Sequence, residues 1–200
     1  MLRLAKPIIF EVGRASMVSL KGAGVHLRPA SPDDAEARFS LGTDADISRM
    51  FGVSQSDVKP ITRDAAEEWA QGQAQNPYAW MIELEQRLIG EIKLHSLNFQ
   101  DRRASMAVAI YDPPLLGKGL GSEAIRLLLQ HAFTELKLHR IGIRVLAYNE
   151  RAIRAYQKCG FVVEGRERET AFVDGKWHDD LMMGLLSTEF QDWLRSKVRS

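Results

Sequence analysis

Cysteine is almost missing from these 200 residues; the one present is Cys159. A lone cysteine excludes an internal disulfide and any zinc cage built on cysteines. Histidine is scarce too. Its five positions (26, 95, 131, 139 and 178) show neither HxxxH nor HExxH spacing, so no metal site is expected. Net charge is nearly absent. The formal charge is +1: residues 1–100 carry 11 basic and 13 acidic side chains, and residues 101–200 carry 16 and 13. Neither half is basic enough for a nucleic-acid footprint. Long apolar runs are lacking as well. The N-terminus is apolar in places, but Lys6, Pro7 and Glu11 interrupt it, so it reads as neither a signal peptide nor a membrane span. These absences point to a cytoplasmic protein with no metal, nucleic-acid or membrane partner.

What is there is an ordinary core-forming composition, 45% hydrophobic and 26% charged, which suits one domain with an appendage. Residues 1–24 read as an N-terminal extension, 25–187 as the domain, and 188–200 as an amphipathic C-terminal tail with helical character. Within the extension, Ile8 to Val12 suits a short strand. Val25 to Arg28 is a first strand of the domain. Ser31-Pro32-Asp33-Asp34 starts a helix, with a capping serine, a proline suited to the first turn and two carboxylates at the positive helix end. Asp44 to Phe51 is a second short helix or a loop, and Thr62 caps a further helix that ends before Asn76-Pro77.

The texture then changes. Tyr78 to Glu85 and Leu88 to Leu97 read as strands joined by a tight turn near Gln86-Arg87, and Ala104 to Tyr111 as a third. Connections this short force an antiparallel meander, because parallel pairs need a long crossover. Gly119 to Leu136 is a long helix with a wide apolar face, and His139 to Ala147 an alternating strand. Asn149 caps a further helix that Gly160 closes. Phe161 to Arg168 and Lys176 to Leu186 form a hairpin around Asp174-Gly175.

Gly117, Gly119 and Gly121 lie between strand and helix. Backbone without side chains approaches an anion closely, and a helix N-terminus offers free N–H groups, so the turn suits a phosphate. It is not a P-loop, since no Gly-Lys-Ser/Thr ends the run. It departs from a Rossmann turn too: Ser122 stands where the third glycine belongs, and the strands before it form a meander rather than βαβ units. A glycine-rich connection without ligand is the other reading of the same residues.

The Pro-containing loop, Leu116-Gly117-Lys118-Gly119-Leu120-Gly121, the long helix, and Asn149…Ala152…Tyr156…Lys158…Gly160-Phe161 together resemble the GNAT acetyltransferases, and most of all their RimJ/RimL-like branch. The order of elements from about residue 24 to 187 fits as well. The resemblance implies an α/β (α+β) fold: a mixed, mostly antiparallel, twisted sheet of about seven strands with helices on both faces. It implies acetyl-CoA as cosubstrate, with no metal. The pyrophosphate would lie on the amides of Gly117, Lys118, Gly119, Leu120, Gly121 and Ser122. The pantetheine arm would pair with backbone near Ala109, Ile110 and Tyr111, and Asn149 would contact it. Tyr156 would stand by the thioester sulfur as general acid. Leu116 departs from the family, which usually has Gln or Arg there; one polar contact is lost and the backbone cradle stays. A homodimer is common in the family.

The chemistry accords with these roles. A phenol of pKa about 10 is protonated at neutral pH and can give its proton to a leaving thiolate; a core tyrosine is the competing reading of Tyr156. The incoming amine must lose a proton. Glu91, a carboxylate on a central strand, is the first candidate base, with solvent exposure as its other explanation; His95 and Asp179 follow. Arg151 and Arg154 suit either CoA phosphates or a polar helix face. The expected function is acetyl transfer from acetyl-CoA to a primary amine (a protein N-terminus, an amino acid or a small amine such as a polyamine) by direct attack in a ternary complex. A non-catalytic acyl-CoA-binding sensor or partner-binding module on the same fold is the alternative, and a nucleotide-binding oxidoreductase a second rival.

Overall fold

The protein is described here by a computed structural model covering residues 18–198; the strand expected at Ile8 to Val12 lies outside the described residues. Among the described residues, eight strands form one sheet in the order β1-β2-β3-β4-β5-β6-β8-β7. They are β1 (Leu20–Lys21), β2 (His26–Pro29), β3 (Ala79–Leu84), β4 (Arg87–Asn98), β5 (Arg103–Ile110), β6 (Arg140–Leu146), β7 (Val162–Val173) and β8 (Lys176–Leu186). Six helices accompany them: α1 (Asp34–Leu41), α2 (Ala45–Arg49), α3 (Arg63–Ala74), α4 (Leu120–Thr134), α5 (Glu150–Lys158) and α6 (Ser187–Val198). The expected mixed α/β sheet is present, and the two-residue β1 brings its strands to eight.

Short local signals set most boundaries. Asp44 and Thr62 cap α2 and α3 by accepting from Ile47 N (2.8 Å) and Ala65 N (3.2 Å). The expected serine cap of α1 is displaced. The helix starts at Asp34 rather than beside Pro32, and the Ser31 hydroxyl accepts from Asp33 N at 3.2 Å instead. The cause is Asp34. Its carboxylate is drawn inward to pair with Arg28 and to accept from Ser31 N at 2.8 Å. The β3–β4 turn falls one residue earlier than expected, on Glu85 and Gln86, both left-handed at φ 51° and 64°. Two left-handed residues match the twist of a tight hairpin. Asp174 and Gly175 repeat this at the β7–β8 tip, with φ 50° and 74°.

Alternation along the strands divides the sheet into two faces. Trp80 and its partner Ile92 look toward α4, where Trp80 meets His131 edge-on at 5.7 Å. Their neighbour Glu91 looks the other way, toward Trp69 on α3. The α4 side chains Ala124, Ile125, Leu128, Leu129 and Ala132 are sealed against the sheet, and burial of that stripe supplies much of the cohesion of the fold.

One pairing interrupts the sheet. β5 and β6 are parallel and bonded only from Arg103–Ser105 to Arg140–Gly142. Beyond that point the two strands part. β5 keeps β4 on its other side, held close where Gly90 lies opposite Ile110: a Cβ on Gly90 would sit 2.0 Å from the Ala109 carbonyl oxygen.

Candidate active site

The gap between β5 and β6 opens into a cavity of about 490 Å³. Val108, Ala109 and Ile110 line one wall, and Arg144, Val145 and Leu146 the other. Because no strand among the described residues bonds to this stretch of β5 on the β6 side, its backbone groups face the gap. A backbone N–H or C=O left this way wants a partner, and an amide-bearing chain laid along the strand supplies one.

At one end of the gap lies the glycine turn. Gly117, Gly119, Leu120, Gly121 and Ser122 all line the cavity. Gly117 and Gly119 are left-handed, with φ 77° and 85°, and a Cβ on either would meet nothing within 4 Å. Backbone shape, rather than crowding, demands glycine at both. Gly119 is also the N-cap of α4 and brings no side-chain cap. The first N–H groups of α4 are therefore left without intrahelical acceptors and offered to whatever lies in the gap. The α5 side chains Arg151, Arg154 and Lys158 add positive charge to the cavity lining; Arg154 also pairs with Glu150 at 2.9 Å.

At the other end is Tyr156 on the inner face of α5, 7% exposed and edge-on to Phe161 at 6.0 Å. Burial first, and the nearby Cys159 second, push its phenol up to about 12. The helix that carries it is fixed at both ends. Asn149 accepts from Ala152 N at 3.2 Å and donates from Nδ2 to the Met50 carbonyl at 3.4 Å. Gly160, at φ 98°, ends the helix as Phe161 N and Gly160 N bond back to Tyr156 O (3.1 Å) and Gln157 O (3.0 Å). Cys159 is sealed, donates to the Ser122 carbonyl at 3.5 Å, and has its thiol pushed up by burial. That bond ties the Tyr156 helix to the first turn of α4.

Of the residues expected at the site, Tyr156, Asn149, Ala109, Ile110, Gly117, Gly119, Leu120, Gly121 and Ser122 are thus brought together. Lys118 and Tyr111 are not among the lining residues. The Tyr111 ring lies on the opposite face, 4.3 Å beneath the Arg38 guanidinium and edge-on to Trp69. Its phenol is raised well above the ordinary value, by burial first and then by the Glu91 charge. Glu91 shares that cluster instead of the cavity. Its Oε2 accepts from Trp69 Nε1 at 3.0 Å and its Oε1 pairs with Lys93 at 3.2 Å. Its strand position turns it to the α3 face, away from the cavity. His95 lies beyond the cavity too, its Nδ1 3.2 Å from Ser96 Oγ and its pKa lowered by burial and by Lys93. Asp179 is held by Arg166 and by Glu169 N, at 2.8 and 2.9 Å.

Two features escaped the sequence reading. Ile47, Met50 and Phe51, from α2 and the residues after it, form part of the lining, as does Asp180 of β8. Asp180 is 3% exposed. No local signal separates it from Asp179; only the register of β8 on β6, with Asp180 opposite Leu146, decides which carboxylate turns inward.

Comparison with known proteins agrees with this geometry. The family model of the acetyltransferase (GNAT) domain matches residues 25–162. The chain is 30% identical over 181 residues to the Bacillus subtilis (strain 168) protein named "Probable N-acetyltransferase YjcK", covering 85% of this chain and 98% of that protein. It is 26% identical over 166 residues to spermidine N(1)-acetyltransferase of Escherichia coli (strain K12), covering 83% and 88%. Among solved structures, spermidine N-acetyltransferase from Vibrio cholerae in complex with CoA and spermine is similar with a TM-score of 0.72 and 26% identity, covering 85% of this chain and 99% of that one.

Proposed function

The chain belongs to the GNAT family of acetyl-CoA-dependent N-acetyltransferases, and on that premise we propose that it acetylates a primary amine by direct attack in a ternary complex, with Tyr156 as general acid. The observation that carries this reading is a single cavity that joins the glycine turn, the unpaired edge of β5 and the Tyr156 phenol. A pyrophosphate on the amides of residues 117–122 and a pantetheine arm along Ala109 to Tyr111 would bring the thioester toward Tyr156. The Asn149 side chain already caps α5 through Oδ1, so its contact with pantetheine would be made by Nδ2 in exchange for the long bond to Met50.

The chemistry runs in one line. The neutral amine nitrogen attacks the thioester carbonyl carbon. The carbon–sulfur bond breaks, and the phenolic proton of Tyr156 passes to the departing sulfur. The proton shed by the amine restores the phenol. A phenol raised to about 12 holds its proton throughout the neutral range, which suits an acid better than a base. Glu91 has no part in this scheme.

For the acceptor, polyamines are favoured by the names of the relatives in Escherichia coli and Vibrio cholerae. The RimJ/RimL-like placement keeps protein N-termini in the panel. We place the enzyme in the cytoplasm, in line with its single cysteine; among the described residues no helix is long and apolar enough to cross a membrane.

The test is a thiol-release assay with acetyl-CoA and a panel of amines that includes spermidine, amino acids and peptides. Wild-type protein is expected to release CoA thiol with at least one of them. Tyr156→Phe should bind CoA within about twofold of wild type and turn over about 100-fold more slowly. If CoA raises the melting temperature yet no amine elicits thiol, the protein is a sensor. If NAD(P) raises it and CoA does not, the nucleotide reading replaces this one.

A further inference from the structure

The charges that line the cavity are unequally divided. Arg144, Arg151, Arg154 and Lys158 are cationic, and Asp180 is the single carboxylate. Three of the cations lie on α5, as a site for a phosphate-bearing cosubstrate would need. The carboxylate lies on β8 and has no use for such a ligand. It is nevertheless held in place with care. Its side chain is 4% exposed. Thr170 Oγ1 donates to Oδ2 at 2.8 Å, and Arg144 Nε approaches the same oxygen at 3.2 Å. The β7 backbone is bent to make the first of these contacts: its register on β8 shifts between Glu167 and Ala171, and Glu169 is left-handed at φ 56°. Such bulges re-aim side chains beside active sites. Both contacts fall on Oδ2. The Arg144 side chain is itself 62% exposed, so water screens its charge and leaves Asp180 only partly neutralised.

We infer that Asp180 is the specificity-determining residue for the acceptor, and that it pairs with a second ammonium group on it, so that the preferred substrate is a diamine or polyamine. This rests on the acetyl-transfer reading above. The nitrogen that attacks must be neutral, and a carboxylate paired with it would hold its proton in place. Paired with another nitrogen of the same molecule, the carboxylate binds the substrate without that penalty. A carboxylate and a cation attract more strongly in a cavity than at the surface, and a ligand that leaves the buried carboxylate without a partner is penalised; an amine with one nitrogen leaves it so.

The experiment separates binding from turnover. Spermidine and n-butylamine are titrated calorimetrically into the CoA-bound protein, for wild type, Asp180→Asn and Asp180→Glu, and steady-state kinetics are run at saturating acetyl-CoA. Wild type should bind spermidine at least tenfold more tightly than butylamine. Asp180→Asn should erase that preference, raise KM for spermidine by tenfold or more, and leave the Kd for CoA within twofold. Asp180→Glu should recover part of the preference. Thr170→Val, which removes a supporting contact and keeps the charge, serves if Asp180→Asn does not fold; it should reduce the preference by a smaller factor. Equal spermidine affinity in wild type and variant, no preference in wild type, or a parallel loss of CoA binding each overturns the assignment. Preferential spermidine binding without any thiol release, in contrast, would leave Asp180 its role and refute the acetyl-transfer reading.

Discussion

Tyr156 on α5 and Cys159 at its C-cap sit three residues apart and are buried for different ends. Burial raises both protons above their ordinary values. For Tyr156 this sets the pH behaviour. A group whose pKa is raised on folding contributes stability that is whole below its unfolded value and lost as pH rises through the folded one. The window here runs from 10.0 to about 12. The melting temperature of wild type should therefore fall more steeply than that of Tyr156→Phe above pH 10, and kcat should show no alkaline decline below it. For Cys159 the same burial excludes nucleophilic work, since the thiolate is the reactive form. The folded protein should resist iodoacetamide for hours and be alkylated in denaturant, as followed by mass spectrometry. Rapid modification of the folded protein would contradict the sealed position of the thiol.

At the scale of elements, two glycines matter for opposite reasons. Gly119 is required by its left-handed φ of 85°, with open space around it, whereas Gly90 has a carbonyl oxygen 2.0 Å from where a Cβ would be. Gly119→Ala should cost about 1–2 kcal/mol of backbone strain and weaken CoA binding by reshaping the turn. Gly90→Ala must push β5 away, at about 1–3 kcal/mol of overpacking, and it shifts Ala109 along the cavity wall. Urea denaturation and CoA titration of the two variants check the pair: both bind CoA less well, for Gly90→Ala through a displaced strand far from the turn. Wild-type affinity in Gly90→Ala would show that β5 does not form the wall used by CoA. The β7–β8 hairpin belongs to this scale as well. Asp174 at its tip bonds to Arg49 and Gln55 N, each at 2.8 Å, and so ties the hairpin to the α2 segment that lines the cavity.

At the scale of the molecule, β7 is one edge strand of the sheet, opposite β1, and most of it is exposed. Phe172 and Trp177, 56% and 60% exposed, meet at a tilt near the tip of the β7–β8 hairpin, with ring centroids 5.0 Å apart. If this exposed edge seats a second copy of the chain, sedimentation equilibrium should return twice the 22.6 kDa chain mass. A monomer at all concentrations would refute it.

Most of the fold could be read along the chain because its signals are local: the glycine turn, the Asn149 cap, the Gly160 stop, and the Asp174-Gly175 hairpin each lie within a few residues of the structure they specify. The same locality made Tyr156, Asn149 and the glycines legible as one site. What the chain by itself could not settle were questions of facing. Glu91 and Asp180 are both carboxylates on strands, and composition cannot tell them apart. The register of β4 turns Glu91 to Trp69 and Lys93, on the face away from the cavity, while the register of β8 on β6, with the bulge in β7, turns Asp180 into it. A shift of one residue in a strand reverses its faces, and only the assembled sheet fixes that register. The sequence by itself determined most of the elements and the glycine turn that opens α4. Tertiary structure alone decided where β5 and β6 part, and therefore which carboxylate lines the gap between them.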